Sequence, residues 1–264
     1  MKYSTLTFPD IYRITLPYKD IFTTVVILRT PEGDVMLDAA SYDEDITDTV
    51  LPALEELGVT RESLKHLVIS HNHGDHAGGL AAFLKAFPEV EVLSGSASLA
   101  EKHPEANVRA PLAGELLLGC LEVVSIPGHT QDAVGLLDRR SATLVSGDAL
   151  QQFGIFGSGK WGSNIRYPAL HRKAVRALME KDVKGILSAH DFHPVGQFAH
   201  SAEEAHAFME ACLESLDRIE AFDLAHPGQD KEDVAAAYNA EGTLPTVGAH
   251  VFAALERDRT EANA

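Results

Sequence analysis

Cysteine is scarce in this chain: Cys120 and Cys212 are the only two among 264 residues. That is too few for a disulfide framework or for a thiolate metal cage. Any metal held here must use nitrogen and oxygen ligands. Basic residues are also in short supply, with 22 Lys and Arg against 39 Asp and Glu and a formal charge of −17. A surface of that sign repels polyphosphate backbones, so no nucleic-acid partner is expected. No apolar run approaches the roughly 20 residues needed to cross a bilayer. The opening MKYSTLTFPDIYRI has no apolar core of the signal-peptide kind. These absences predict a cytoplasmic protein with no membrane partner, and leave its oligomeric state open.

What is present is an ordinary globular composition, 45% hydrophobic and 23% charged, which excludes a disordered chain. TTVVILRT is rich in β-branched residues, and the PEGD that follows is a turn leading into VMLDAA. After Asp43, the recurrence of Ile46, Val50, Leu54 and Leu57 predicts a helix stopped by Gly58. LKHLVIS, VEVLSG, LLLGCLEVVSIPGH, AVGLLD, ATLVSGDAL and VKGILSAH read as strands, and GLAAFLKAFP and YPALHRKAVRALMEKD as helices. Strands alternating with helices imply an α/β (α+β) architecture with covered sheets. From Ser201 the chain turns helical, with Ala205, Phe208, Cys212, Leu216 and Ile219 as one packing stripe and Val247, Val251 and Leu255 as another. The predicted organisation is a domain over 1–200 with a helical extension, 201–264, packed on it.

The stretch SHNHGDHAGG crowds three histidines and an aspartate behind an apolar strand. If extended geometry persists, His71 and His73 point to one side, and Gly74 permits a turn bringing Asp75 and His76 toward the same space. Gly78 and Gly79 allow close backbone packing as the next helix begins. Alone, such a loop can be solvated chance. Three further apolar runs, however, each deliver one ligand-capable side chain: His129 in VVSIPGHT, Asp148 in TLVSGDAL and His190 in GILSAHDF. Four strand ends holding five histidines and two aspartates favour a metal site.

With these motifs, and Asp38 at the end of VMLDAA, the chain resembles the metallo-β-lactamase superfamily over roughly residues 20 to 195. The resemblance implies a four-layer αβ/βα sandwich and two divalent metal ions, zinc first, with iron or manganese as alternatives. It implies that His71, His73 and His129 hold the first metal, Asp75, His76 and His190 the second, and Asp148 bridges them. Asp38 would buttress the histidine loop. A metal-bound hydroxide would then act as nucleophile near neutral pH, oriented by Asp75 as the catalytic residue. SGDAL argues against antibiotic hydrolysis, since true β-lactamases of the superfamily generally lack the bridging aspartate. PGHT and SGDA resemble glyoxalase II-type thioesterases and lactonases, which points to hydrolysis of a small ester, thioester or lactone. An iron-dependent sulfur dioxygenase-like oxidoreductase and a phosphodiesterase remain as alternatives. The acidic AEEAHAFMEACLESLDRIE, one arginine against six acids, counts against glutathione specificity.

GIFGSGKW nearly matches a phosphate loop, but Trp161 stands where a hydroxyl is required. The glycine-rich Phe153–Asn164 stretch, with Phe156, Lys160 and Trp161, reads as a substrate-covering loop or a packed connector. Arg166, Tyr167 and His193 are secondary substrate-side candidates.

Overall fold

The computed structural model describes residues 1–104, 106–150, 154–155, 163–193, 196–242 and 246–262, of which 154, 155 and 193 by backbone alone. Their strands form two seven-stranded sheets. The chain divides into two compact units, Met1–Ser125 with Val134–Gly147, and Ile126–Ala133 with Asp148–Ala264.

The first unit opens with an antiparallel run, β1 (Thr5–Phe8), β2 (Ile11–Tyr18), β3 (Ile21–Thr30) and β4 (Gly33–Leu37). In β2 Ile14 and Leu16 are buried while Thr15 and Pro17 are exposed, the alternation of a strand with one wet face. β3 is buried continuously from Thr23 to Leu28, as its β-branched run predicts for a strand covered on both faces. From β4 the pairing turns parallel, through β5 (Leu64–Ile69) and β6 (Glu91–Ser94) to the short β7 (Val108–Arg109). Parallel neighbours need crossovers, and helices supply them. The first is a continuous helical stretch: α1 (Asp43–Asp45), a π-helical turn over Ile46–Val50, and α2 (Leu51–Glu56). Its Ile46, Val50 and Leu54 join one core with Met36, Leu67, Ile69, Leu80 and Phe83. α3 (Gly74–Ala77), α4 (Leu80–Ala86) and α5 (Ala97–Lys102) complete the crossovers.

The same unit carries an antiparallel meander, β8 (Leu116–Leu117), β9 (Leu121–Ser125), β10 (Val134–Asp138) and β11 (Thr143–Gly147). The single strand expected over LLLGCLEVVS is interrupted here. Leu118 (φ 47°) and Gly119 (φ 68°) are left-handed and turn β8 back onto β9.

The second unit contains β12 (Gly154–Ile155), α6 (Pro168–Met179), β13 (Gly185–His193) and β14 (Gly196–Ala199), with β13 paired antiparallel to both other strands. Three helices follow: α7 (Ala202–Leu224), α8 (Lys231–Ala240) and α9 (Ala249–Ala262). Ser201 caps α7 by accepting from the Glu204 N–H at 3.1 Å, and Asp230 caps α8 by accepting from Glu232 at 2.9 Å. Leu216, Ile219, Val234, Tyr238, Val251 and Phe252 close a core among them, with the Phe222 and Tyr238 rings edge to face at 5.1 Å. The expected stripe from Ala205 to Ile219 is buried throughout, as is that of Val247, Val251 and Leu255. Buried Asp223 pins this bundle, accepting from Lys231 at 2.8 Å and pairing with Arg259. The helix α5 and the strands β1 and β2 have no counterpart in the sequence reading. None of the described helices is long and apolar enough to cross a membrane.

Candidate metal centre

At the end of β4 the backbone turns sharply. Asp38 (φ 67°) and Ala40 (φ 56°) both sit in the left-handed region, unusual for residues with side chains. The turn is held because buried Asp38 accepts three hydrogen bonds, from Ser70 N at 2.7 Å, Ser70 Oγ at 2.9 Å and His76 Nδ1 at 2.7 Å. This is the buttress expected of Asp38.

β5 ends at Ile69, and Ser70 and His71 follow, each 1% exposed. The His71 and His73 rings lie 4.5 Å apart edge to face, with Nε2 of the first 2.9 Å from Nδ1 of the second, so the two-residue spacing places both on one side. α3 then carries Asp75 and His76. Gly74 does not act through a left-handed turn: its φ is not positive, and a Cβ there would meet nothing. The turn is made by the start of α3, where His73 O accepts from the N–H groups of His76 and Ala77. Gly78 does need its missing side chain, since a Cβ would fall 2.0 Å from Ser41 O. Asp75 is anchored through its backbone carbonyl, which accepts from Thr23 Oγ1 at 3.1 Å.

In the second unit His129, Asp148 and His190 are buried and meet one another. His129 Nε2 is 3.7 Å from Asp148 Oδ2, and His190 Nε2 is 3.2 Å from Asp148 Oδ1. His129 Nδ1 donates to the Asn164 carbonyl at 2.8 Å. The turn carrying it is clamped to the approach of α6, because Gly128 O accepts from both Arg166 N and Tyr167 N at 2.9 Å. Gly128 has φ 153°, and a Cβ there would come within 2.7 Å of His171. His171 is fully buried, and neither ring nitrogen has a hydrogen-bond partner. Burial pushes its pKa down to about 4, helped by the Arg172 charge, so the ring is neutral at pH 7.

These contacts fix which nitrogen each ring offers. Asn164 O and Asp38 Oδ2 only accept, so Nδ1 of His129 and of His76 carries the hydrogen and Nε2 the lone pair. Ser70 gives its hydrogen to Asp38, so its oxygen accepts from His71 Nδ1 at 3.1 Å and Nε2 of His71 is again the base. Two of these lone pairs then face carboxylate oxygens, His76 Nε2 at 3.5 Å from Asp75 Oδ2 and His129 Nε2 at 3.7 Å from Asp148 Oδ2, while that of His71 meets His73 Nδ1. Acceptor facing acceptor is repulsive, and a cation between them reverses the sign. Neutral imidazole and carboxylate are ligands that suit divalent transition metals. Among the described residues, the first unit gathers His71, His73, Asp75 and His76, and the second gathers His129, Asp148 and His190, each a set of donors of this kind.

Sequence reasoning missed Ser70, Asn164 and His171. Serine is too common at strand ends to stand out, and a backbone carbonyl has no side-chain signature. The near phosphate loop and most of the Phe153–Asn164 stretch lie outside the described residues, as does the His193 side chain.

Residues 18–225 match the model of the Metallo-beta-lactamase superfamily. The chain belongs to that superfamily, and its sheets and flanking helices are those of an αβ/βα sandwich fold, extended by C-terminal helices. It is similar to the uncharacterized protein YobT of Bacillus subtilis, 30% identical over 42% of this chain and 57% of that one. It is also 30% identical to a hydroxyacylglutathione hydrolase of Methylococcus capsulatus, over 69% of this chain and 68% of that protein. The match to YobT thus spans little more than half that protein's length. Among solved structures, a metallo-beta-lactamase family protein of Thermus thermophilus superposes with a TM-score of 0.67 at 17% identity, covering 97% of this chain and 95% of the other.

Proposed function

We propose that the chain hydrolyses a small ester, thioester or lactone at a two-metal centre, with zinc as the resident metal. The observation that carries this reading is the common tautomer of His71, His76 and His129, whose Nδ1 hydrogens are all committed to oxygen. Such an arrangement leaves Nε2 as a ligand and strengthens it, as hydrogen-bonded support generally does for metal-bound histidine. His71, His73 and His129 would hold one ion, Asp75, His76 and His190 the other, with Asp148 shared. When bound, a pair of divalent ions lowers the pKa of water and polarises the carbonyl under attack.

The chain's own residues do the rest. Asp75 accepts a hydrogen bond from the attacking water and orients it, its backbone held by Thr23. Asp38, through Ser70 and His76, keeps two ligand rings from rotating. Asn164 does the same for His129. The Methylococcus relative's name as a hydrolase of acylated glutathione supports a thioester or ester over a phosphodiester. So does the charge of −17, which opposes phosphate-rich substrates.

The test is a panel of thioesters, lactones, aryl esters and phosphodiesters offered to metal-quantified protein. Hydrolysis of the carbonyl substrates, abolished by a chelator and restored by zinc, is the expected result. Activity on phosphodiesters alone, or activity indifferent to chelation, contradicts the reading. Asp75→Asn is expected to lower kcat by about 10²-fold or more, in the range for loss of a proton-handling group.

A further inference from the structure

A cavity of about 490 Å³ lies within the second unit, lined by Ser163, Asn164 and Arg166 on one side and by α8, the approach to α9 and the start of α9 on the other. That volume suits a small organic molecule. Its walls are sorted by chemistry. Ala235, Ala236, Val247, Gly248 and Ala249 give a small apolar lining. Asn239 is committed, exchanging two hydrogen bonds with the Val247 backbone at 2.8 and 3.1 Å. The charged groups are Arg166 and Glu232, with His250 near both: burial, then Arg166, lowers the proton affinity of His250, and Glu232 raises it. His250 is accordingly biased toward its neutral form.

A second, independent feature points to a ligand. Ser163 lines this cavity, is 1% exposed, and its hydroxyl has no hydrogen-bond partner. Leaving a buried hydroxyl without a partner is costly, so a polar ligand atom is favoured at this position.

We propose that this cavity binds a small zwitterion of the α-amino-acid type, its carboxylate on Arg166 and the Ser163 hydroxyl and its ammonium on Glu232. The charge pattern selects against the alternatives. A simple anion meets Glu232 without a counter-charge, and a simple cation meets Arg166. A compact molecule carrying both charges satisfies both walls, and the alanine and glycine lining admits a short side chain. Arg166 is suited to the carboxylate because its planar guanidinium offers paired donors. Its Nε also holds Asn164 Oδ1 at 3.2 Å, one residue whose carbonyl orients His129. The site therefore adjoins the proposed metal centre without sharing a ligand with it, and the proposal stands whether or not metal is bound.

Titration calorimetry of the full chain with glycine, alanine and serine tests this, beside the matching amino-acid amides, the N-acetyl amino acids and acetate. Saturable binding of a free amino acid is expected, weakened at least tenfold by either blocking group, by Arg166→Ala and by Glu232→Gln. Ser163→Ala is expected to weaken it several-fold. Absence of saturable binding at millimolar concentration overturns the proposal. So does binding of acetate or the N-acetyl form as tight as that of the free amino acid, or binding indifferent to both charge variants.

Discussion

Asp38 ties the end of β4 to the histidine loop. It accepts from Ser70 N, Ser70 Oγ and His76 Nδ1 while sitting at φ 67°. Asp38→Asn can keep the backbone conformation, because asparagine tolerates the left-handed region. It cannot supply acceptors to all three donors. The substitution should lower metal affinity by about 10- to 100-fold, in the range for lost outer support. Asp38→Ala should in addition destabilise the apo protein, because it orphans a buried backbone N–H. Metal titration and denaturant melts of the two variants separate these effects. His171 carries a different prediction. Its folded pKa of about 4 lies below the ordinary 6.5, so the unfolded chain takes up a proton that the folded chain refuses. That part of the stability is fully present above pH 6.5 and lost as the pH falls toward 4, at a cost on the order of 3 kcal/mol. In metal-free protein, His171→Leu should flatten the stability curve across that window. An unchanged slope contradicts the assignment. At this scale the candidate donors stand out in the sequence because only a few side chains bind metals, and they recur at strand ends. Ser70 and the Asn164 carbonyl do not, since their part depends on where the backbone delivers them.

The elements act by exact placement of strand ends. β4 and β5 run parallel, with Leu37 beside Val68, and that register brings Asp38 level with the start of the histidine loop. The close seat of α3 and α4 against the β4 exit depends on Gly78, whose N–H donates to both Ala40 O and Gly74 O at 3.0 Å. Gly78→Ala would put a carbon 2.0 Å from Ser41 O and 2.4 Å from Gly74 O, both backbone atoms that cannot swing aside. It should destabilise the fold by about 2 kcal/mol or more, as overpacking does. It should also weaken metal binding without removing a ligand. A variant as stable as the parent in urea, with unaltered metal affinity, would count against this packing. The glycine pair was readable from sequence as a close approach. The helical stripes were readable too, because burial follows the 3.6-residue period. β1 and β2 escaped notice although Ile14 and Leu16 alternate with exposed residues, for proline and charged neighbours dilute the pattern. The interruption at Leu118 was hidden because a leucine gives no sign of a left-handed backbone.

For the whole molecule, composition excludes thiolate metal sites, and the strand-end pattern supplies nitrogen and oxygen donors instead. The superfamily's fold was legible because its ligand motifs occur in a fixed order along the chain, which tertiary context cannot rearrange. Substrate choice was not, since it depends on surfaces assembled from residues that are individually unremarkable. Metal content is the most direct readout of the two-metal centre. Purified without added metal and then loaded with zinc, the parent should hold two ions per chain by elemental analysis. Asp148→Ala should hold one or fewer and lose nearly all turnover while keeping its folded circular dichroism. Two tightly held ions in Asp148→Ala, or none in the parent under saturating zinc, would contradict the two-metal centre.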